Sequence, residues 1–178
     1  MLGEVPEVPT FNNYDSVVGF CRMPERWLGL VVGNEEIEVV DLLVPATGPL
    51  EVEMQDKWKL HAGPRPAAYE IMFTRISDYV KEHAIARVVI KGSAVSGRST
   101  GMGHLTAAEL RGVAAAAGAK HSKVEFSQKA HLSKTFGERD TDEYLSDSTF
   151  WANEITGKLA VGRREAAFLV LAKTRPRP

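Results

Sequence analysis

The sequence predicts an α/β domain built on a mixed five-stranded sheet, an antiparallel meander of three strands followed by βαβ units, with helices on its faces. Three observations predict it. Three β-rich runs punctuated by turn residues occupy positions 16–44. Tyr69, Met72, Phe73, Ile76, Tyr79 and Val80 then recur at steps of three and four, as on one face of a helix. Finally, ARVVIKGSAVSGRSTGMGHLTAAELRGVAAAAG, Ala86 to Gly118, reads as strand, glycine-rich loop and alanine-rich helix. In open α/β sheets ligands sit beyond the carboxyl ends of strands, so this loop is where chemistry is expected.

Residues 1–14, with Pro6, Pro9 and the Asn12-Asn13 pair, read as an extended tail ahead of one domain over 15–173. Ser16–Arg22 is the expected first strand. Met23–Arg26 is a turn, with Pro24 at its second position. Trp27–Val32 and Ile37–Val44 are the second and third strands, joined by a two-residue hairpin at Gly33-Asn34. Pro45–Gly63 reads as a long polar connection anchored by Trp58 and Leu60. Pro64–His83 is a helix, its prolines confined to the start. Arg87–Ile90 is apolar and bounded, as a strand buried on both faces should be. Thr106 and Glu109 match a capping box for the next helix, which Gly118 ends. Lys123–Ser127 is the fifth strand. Helices are expected over Gln128–Phe136, Thr141–Ile155 (with Tyr144, Ser148, Trp151 and Ile155 on one side) and Arg163–Lys173, before a basic tail at 174–178.

At 178 residues and 44% hydrophobic content, the chain can bury a proper core. No apolar run is long enough to span a membrane, and the start, MLGEVPEVPTFNNY, lacks the basic and apolar regions of a signal peptide. Cys21 is the only cysteine, which rules out an intramolecular disulfide and a cysteine-based zinc cluster and fits a cytoplasmic setting. The net charge of −1 is unevenly spread: residues 1–60 carry 4 Lys/Arg against 11 Asp/Glu, and residues 61–178 carry 18 against 12. Such asymmetry points to a basic nucleic-acid face, to self-association, or to a mixed solvated surface.

Four segments, in this order and spacing, carry a resemblance: SVVGFCR (Ser16–Arg22), ARVVIKGSAVSGRSTGMGHLTAAEL (Ala86–Leu110), VEFSQKAHLSKTF (Val124–Phe136) and REAAFLVLA (Arg164–Ala172). The chain resembles the RNase H-like superfamily in its RuvC-like branch, and more narrowly looks like a small family of uncharacterised bacterial RNase H-like proteins. The resemblance implies a nucleic-acid-processing fold whose active members hold two divalent metals between carboxylates. One carboxylate lies midway along the first strand, one at the end of the fourth, and one or two on the final helix. The positions that match here are Cys21, Gly92 and Glu165, of which only Glu165 is acidic. No Asp or Glu occurs between Arg87 and Thr106. One carboxylate cannot hold a metal pair.

The expectation is therefore a catalytically degenerate RNase H/RuvC-like domain with no cofactor, acting as a binding or assembly module for a protein, for itself or for nucleic acid. The alternative is a nuclease using Mg²⁺ or Mn²⁺ on an unorthodox set, Glu165 with Asp140, Asp142 or Glu143. For nucleic acid the candidate contacts are Lys91, Arg98, Arg163 and Arg164, joined by Arg111, Lys129 and Lys134. GSAVSGRS (Gly92–Ser99) is a near-miss to a P-loop, with Arg98 where the lysine belongs. His61, His83, His104, His121 and His131 show no i,i+4 pair of the kind that binds zinc from a helix; His104, beside the expected helix start, reads as a capping or surface residue.

Overall fold

The computed structural model describes residues 23–92, 101–128, 135–137 and 139–175. The expected first strand, Ser16–Arg22, lies outside them. The mixed α/β architecture is as expected, but among the described residues the sheet has six strands: β1 (Glu25–Val32), β2 (Glu36–Val44), β3 (Leu50–Lys59), β4 (Ile85–Lys91), β5 (Lys123–Ser127) and β6 (Ile155–Thr156). Their spatial order is β5-β4-β1-β2-β3-β6. The meander β1-β2-β3 is antiparallel, and β1 runs parallel to β4, β4 to β5, and β3 to β6.

Among the described residues the meander runs from β1 to β3. Glu25 and Arg26, expected in a turn, open β1 and pair with Val44 and Leu43. The expected connection Pro45–Gly63 contains β3. Its sequence, LEVEMQDKWK, alternates apolar and polar, with Leu50 and Trp58 buried and Glu51 and Glu53 exposed. A register shift opposite Asp41 and Leu42 sends Leu50 and Val52 into one core cluster and Met54 and Trp58 into the other, and the charged residues between them make the segment look like a loop in the sequence. The β1–β2 hairpin spans three residues rather than two, closed by the Gly33 N–H donating to the Glu36 carbonyl at 2.8 Å.

Alternation along β1 divides the core into two layers. Leu28, Leu30 and Val32 pack with Met72, Ile76 and Val80 of α1 (Arg65–Glu82) and with Leu110, Ala114 and Ala117 of α2 (Met102–Ala119). The alanine-rich face of α2 is thus turned into the core. Trp27 and, partly buried, Val31 pack on the other side. There they meet Tyr144 of α3 (Thr141–Ser146), Trp151 of α4 (Ser148–Glu154), and Ala166 to Leu171 of α5 (Arg164–Thr174).

Several boundaries differ for local physical reasons. Thr106 lies inside α2, where its hydroxyl donates to the Gly103 carbonyl at 3.0 Å instead of capping. Gly118 is also inside α2: a Cβ there would stand 3.3 Å from Val88 Cγ2 and 3.2 Å from Val124 Cγ2, so its bareness lets the helix lie close on β4 and β5. The helix expected over Thr141–Ile155 is broken at Asp147, whose carboxylate accepts from the Thr149 and Phe150 N–H groups and caps α4. Gln128 is not helical; Thr135 and Phe136 are, and 129–134 fall outside the described residues.

Candidate functional site

The carboxyl ends of β1 and β4 meet the amino end of α5, and glycine is what lets them meet. On the α5 side of β1 stand Trp27, Gly29 and Val31. A Cβ at Gly29 would lie 2.1 Å from the Ala166 carbonyl oxygen, so α5 rests directly on the β1 backbone. Leu30 pairs with Ile90, which sets Val31 and Lys91 side by side one residue further along. The Lys91 ammonium reaches across to Glu165 in the first turn of α5, 2.7 Å from its Oε1.

A second ionic group adjoins this pair. Glu38, opposite Val31 on β2, is ion-paired with Arg163 of the 3₁₀ turn Val161–Arg163 that leads into α5. Lys57 of β3 bridges Glu38 at 3.0 Å and Glu36 at 2.7 Å. The Lys57 hydrogen bond holds the Glu36 carboxyl below its ordinary pKa. Three cations thus face three carboxylates, and every acid in the group is matched by a base.

The positions singled out in the sequence have separate fates. Cys21 and Arg98 lie outside the described residues, as do Lys129 and Lys134. On β1, the strand beside β4, Val31 faces α5 near Glu165. Gly92 follows β4 and donates its N–H to the Ser127 carbonyl at 2.8 Å. Lys91 and Arg163 are each tied to a carboxylate, Glu165 and Glu38. Arg164 is not a surface contact: it is buried, and its guanidinium donates to the Leu145 carbonyl at 2.8 Å and the Ser148 hydroxyl at 3.2 Å, fastening α5 to α3 and α4. Arg111 is half-buried in α2, where desolvation lowers its pKa. Asp140, Asp142 and Glu143 surround the start of α3, with Glu143 3.5 Å from Arg139. Among the described residues, no three His, Cys, Asp or Glu side chains come together as a metal-binding group.

Sequence reading missed Glu38 and Val31. The signal for Glu38 was present: Glu36, Glu38, Val40 and Leu42 share one face of β2, and a carboxylate in line with core positions demands a cationic partner.

A separate polar cluster lies between the sheet and α1. Asp41 is fully buried and accepts from Arg26 and from the Tyr79 hydroxyl at 2.8 Å, while Arg26 Nη1 lies 3.3 Å from His83 Nδ1. Burial, reinforced by Asp41, pushes the Tyr79 phenol above its ordinary pKa. This partly buried cluster joins β1, β2 and α1.

This architecture is similar to that of Thermus thermophilus RuvC, with a TM-score of 0.66 at 11% identity, over 83% of this chain and 92% of that one. It is similar also to T. thermophilus RuvC in complex with a Holliday junction substrate (TM-score 0.65, 8% identity, 83% of this chain and 91% of that one). A third similar structure is the yeast mitochondrial Holliday junction resolvase (TM-score 0.57, 7% identity, 85% and 78%). At such identities the likeness is one of fold, the RuvC-like form of the RNase H-like sheet. No family model matches the chain, and no curated protein matches it in sequence.

Proposed function

We propose that this chain is a non-catalytic RuvC-like domain that acts as a binding or assembly module. The observation that carries this reading is the Lys91–Glu165 ion pair. A metal pair needs several hard oxygen ligands in one place. At the junction of β1, β4 and α5 this chain offers a valine, an ammonium and one carboxylate already held by that ammonium. The described residues do not fit a pair of divalent cations. The protein's own cations take over the task of tying α5 to the sheet, through Lys91 to Glu165 and Arg163 to Glu38.

Nucleic acid is a candidate partner, since a RuvC of the same fold is seen in complex with a Holliday junction substrate. The described candidates limit its strength here: Lys91 and Arg163 are engaged with carboxylates and Arg164 is buried. Binding through them is expected to be weak, indifferent to sequence and steeply weakened by salt. The test is incubation of the full chain with four-way junction, duplex and RNA–DNA hybrid in Mg²⁺ or Mn²⁺, alongside calorimetric titration with Mn²⁺. No cleavage and no stoichiometric metal site are expected. Cleavage that disappears in Glu165→Gln would overturn the proposal and establish a metal-dependent nuclease.

A further inference from the structure

At the amino ends of β1 and β4, away from the Lys91–Glu165 pair, a second ionic group stands beside a cavity. The parallel registers set Trp27 of β1, Arg87 of β4 and Lys123 of β5 in one row. The Arg87 guanidinium lies over the Trp27 ring, 4.6 Å from its centroid. Lys173, in the last turn of α5, reaches the same place. Among the described residues one carboxylate serves all three cations: Glu125 is 3.0 Å from Arg87, 3.0 Å from Lys123 and 3.2 Å from Lys173. The Lys123 hydrogen bond, supported by Lys173, holds the Glu125 carboxyl below its ordinary pKa. Arg87 and Lys173 also line a cavity of about 200 Å³, together with Arg175 and Glu25. Arg175 is ion-paired with Glu154, and Glu25 accepts from the Trp27 indole N–H at 2.9 Å. Four cations thus meet three carboxylates, and the surplus positive charge falls at Glu125. The dipole of α5 favours cations at its carboxyl end, where Lys173 and Arg175 stand, but it does not account for Arg87 and Lys123 side by side on neighbouring strands. The buried Trp27 and Leu50, with Val44, give the cavity apolar walls.

We propose that this cavity binds a small organic monoanion, a monocarboxylate with a short hydrocarbon body. Its carboxylate accepts from Arg87 and Lys173 and takes up the charge that Glu125 alone leaves uncompensated. Its carbons lie against Trp27, Leu50 and Val44. Charge and walls each narrow the class. A single surplus charge matches one carboxylate, and hydrogen bonds between ionised partners are the strong ones. Apolar walls reward a hydrocarbon body and give a bare, hydrated ion nothing in return for its lost water. The cavity is smaller than the sites of drug-sized ligands, about 300–1,000 Å³, which limits the occupant to a few carbon atoms. Binding here does not depend on whether the junction of β1, β4 and α5 is catalytic.

The test is a titration of the full chain with butyrate at constant ionic strength, followed by nuclear magnetic resonance of the Trp27 indole N–H, which Trp27→Phe assigns. Butyrate is expected to shift that signal saturably. Butylammonium, the same body with the opposite charge, is expected to leave it in place, and inorganic phosphate, an anion without the body, to bind more weakly than butyrate. Lys173→Met should weaken butyrate by about three- to tenfold, the loss of one partly exposed ionic hydrogen bond. Glu125→Gln should tighten it, because the three cations then lack their carboxylate. Should Lys173→Met fail to fold, Glu125→Gln decides. A shift that grows without saturating, an equal response to butylammonium, phosphate binding tighter than butyrate, or butyrate affinity that neither variant changes overturns the proposal.

Discussion

Replacing Gly29 by alanine tests the contact on which the site is built. The new Cβ would lie 2.1 Å from the Ala166 oxygen, 2.9 Å from its carbonyl carbon and 3.2 Å from Val170 Cγ2. A carbon–oxygen contact relaxes only at about 3.3 Å, so α5 must withdraw from β1 by roughly 1 Å. The obstacle is backbone, which no rotamer change can move aside. Along α5, Ala166 to Leu171 are all buried against this layer, and a gap of that size forfeits about a quarter to a half of each dispersion contact it opens. The cost is expected at the upper end of overpacking penalties, about 3 kcal/mol, or a fall in Tm of roughly 6–12 °C for a chain of this size. Two other glycines supply the comparison. Gly118→Ala meets only the ends of Val88 and Val124, at 3.2–3.3 Å, and gains helix propensity, so it should change stability by less than about 1 kcal/mol. Gly112, inside α2 with nothing within 4 Å, should gain about 0.5–1 kcal/mol as alanine. Urea unfolding of the three variants reads the order directly. A Gly29→Ala protein as stable as Gly112→Ala would refute the direct seating of α5 on β1, and with it the geometry that brings Glu165 to Lys91.

Two further outcomes follow from the ionic groups. In a double-mutant cycle with Lys91→Met and Glu165→Gln, urea unfolding should give a coupling of about 1 kcal/mol, because the pair is only partly buried; zero coupling would mean the pair does not tie α5 to β4. Tyr79 has its folded pKa raised above the ordinary value of 10.0, chiefly by burial, so the folded state binds its proton more tightly than the unfolded chain. Its stabilising effect is present below pH 10 and is lost as pH rises beyond it. Thermal melts should therefore fall more steeply above pH 10 for the native chain than for Tyr79→Phe, and identical alkaline slopes would refute the buried Tyr79–Asp41 contact.

Periodicity and turn chemistry determined much of the fold before any tertiary contact was considered. The apolar steps of α1, the bounded strand β4 and the strongly apolar α5 were legible because each buries a stripe or a whole strand, and burial imposes its period on the sequence. The lack of any acidic residue between Arg87 and Thr106, on which the proposal of a non-catalytic domain partly rests, was legible too. Strand identity was not. The charges of β3 concealed it, and it was read as part of a loop; the strand expected over Ser16–Arg22, with Cys21, lies outside the described residues. Only the parallel register of β1 with β4 put Val31 beside Lys91. Arg164 looked like a surface cation because a sequence cannot show that the Leu145 carbonyl is waiting for it inside the fold. Glu38 looked like one more acid in a charged half of the chain. Its role became visible when the turn before α5 brought Arg163 back across the sheet, because an ion pair between residues 125 positions apart exists only once the chain has folded.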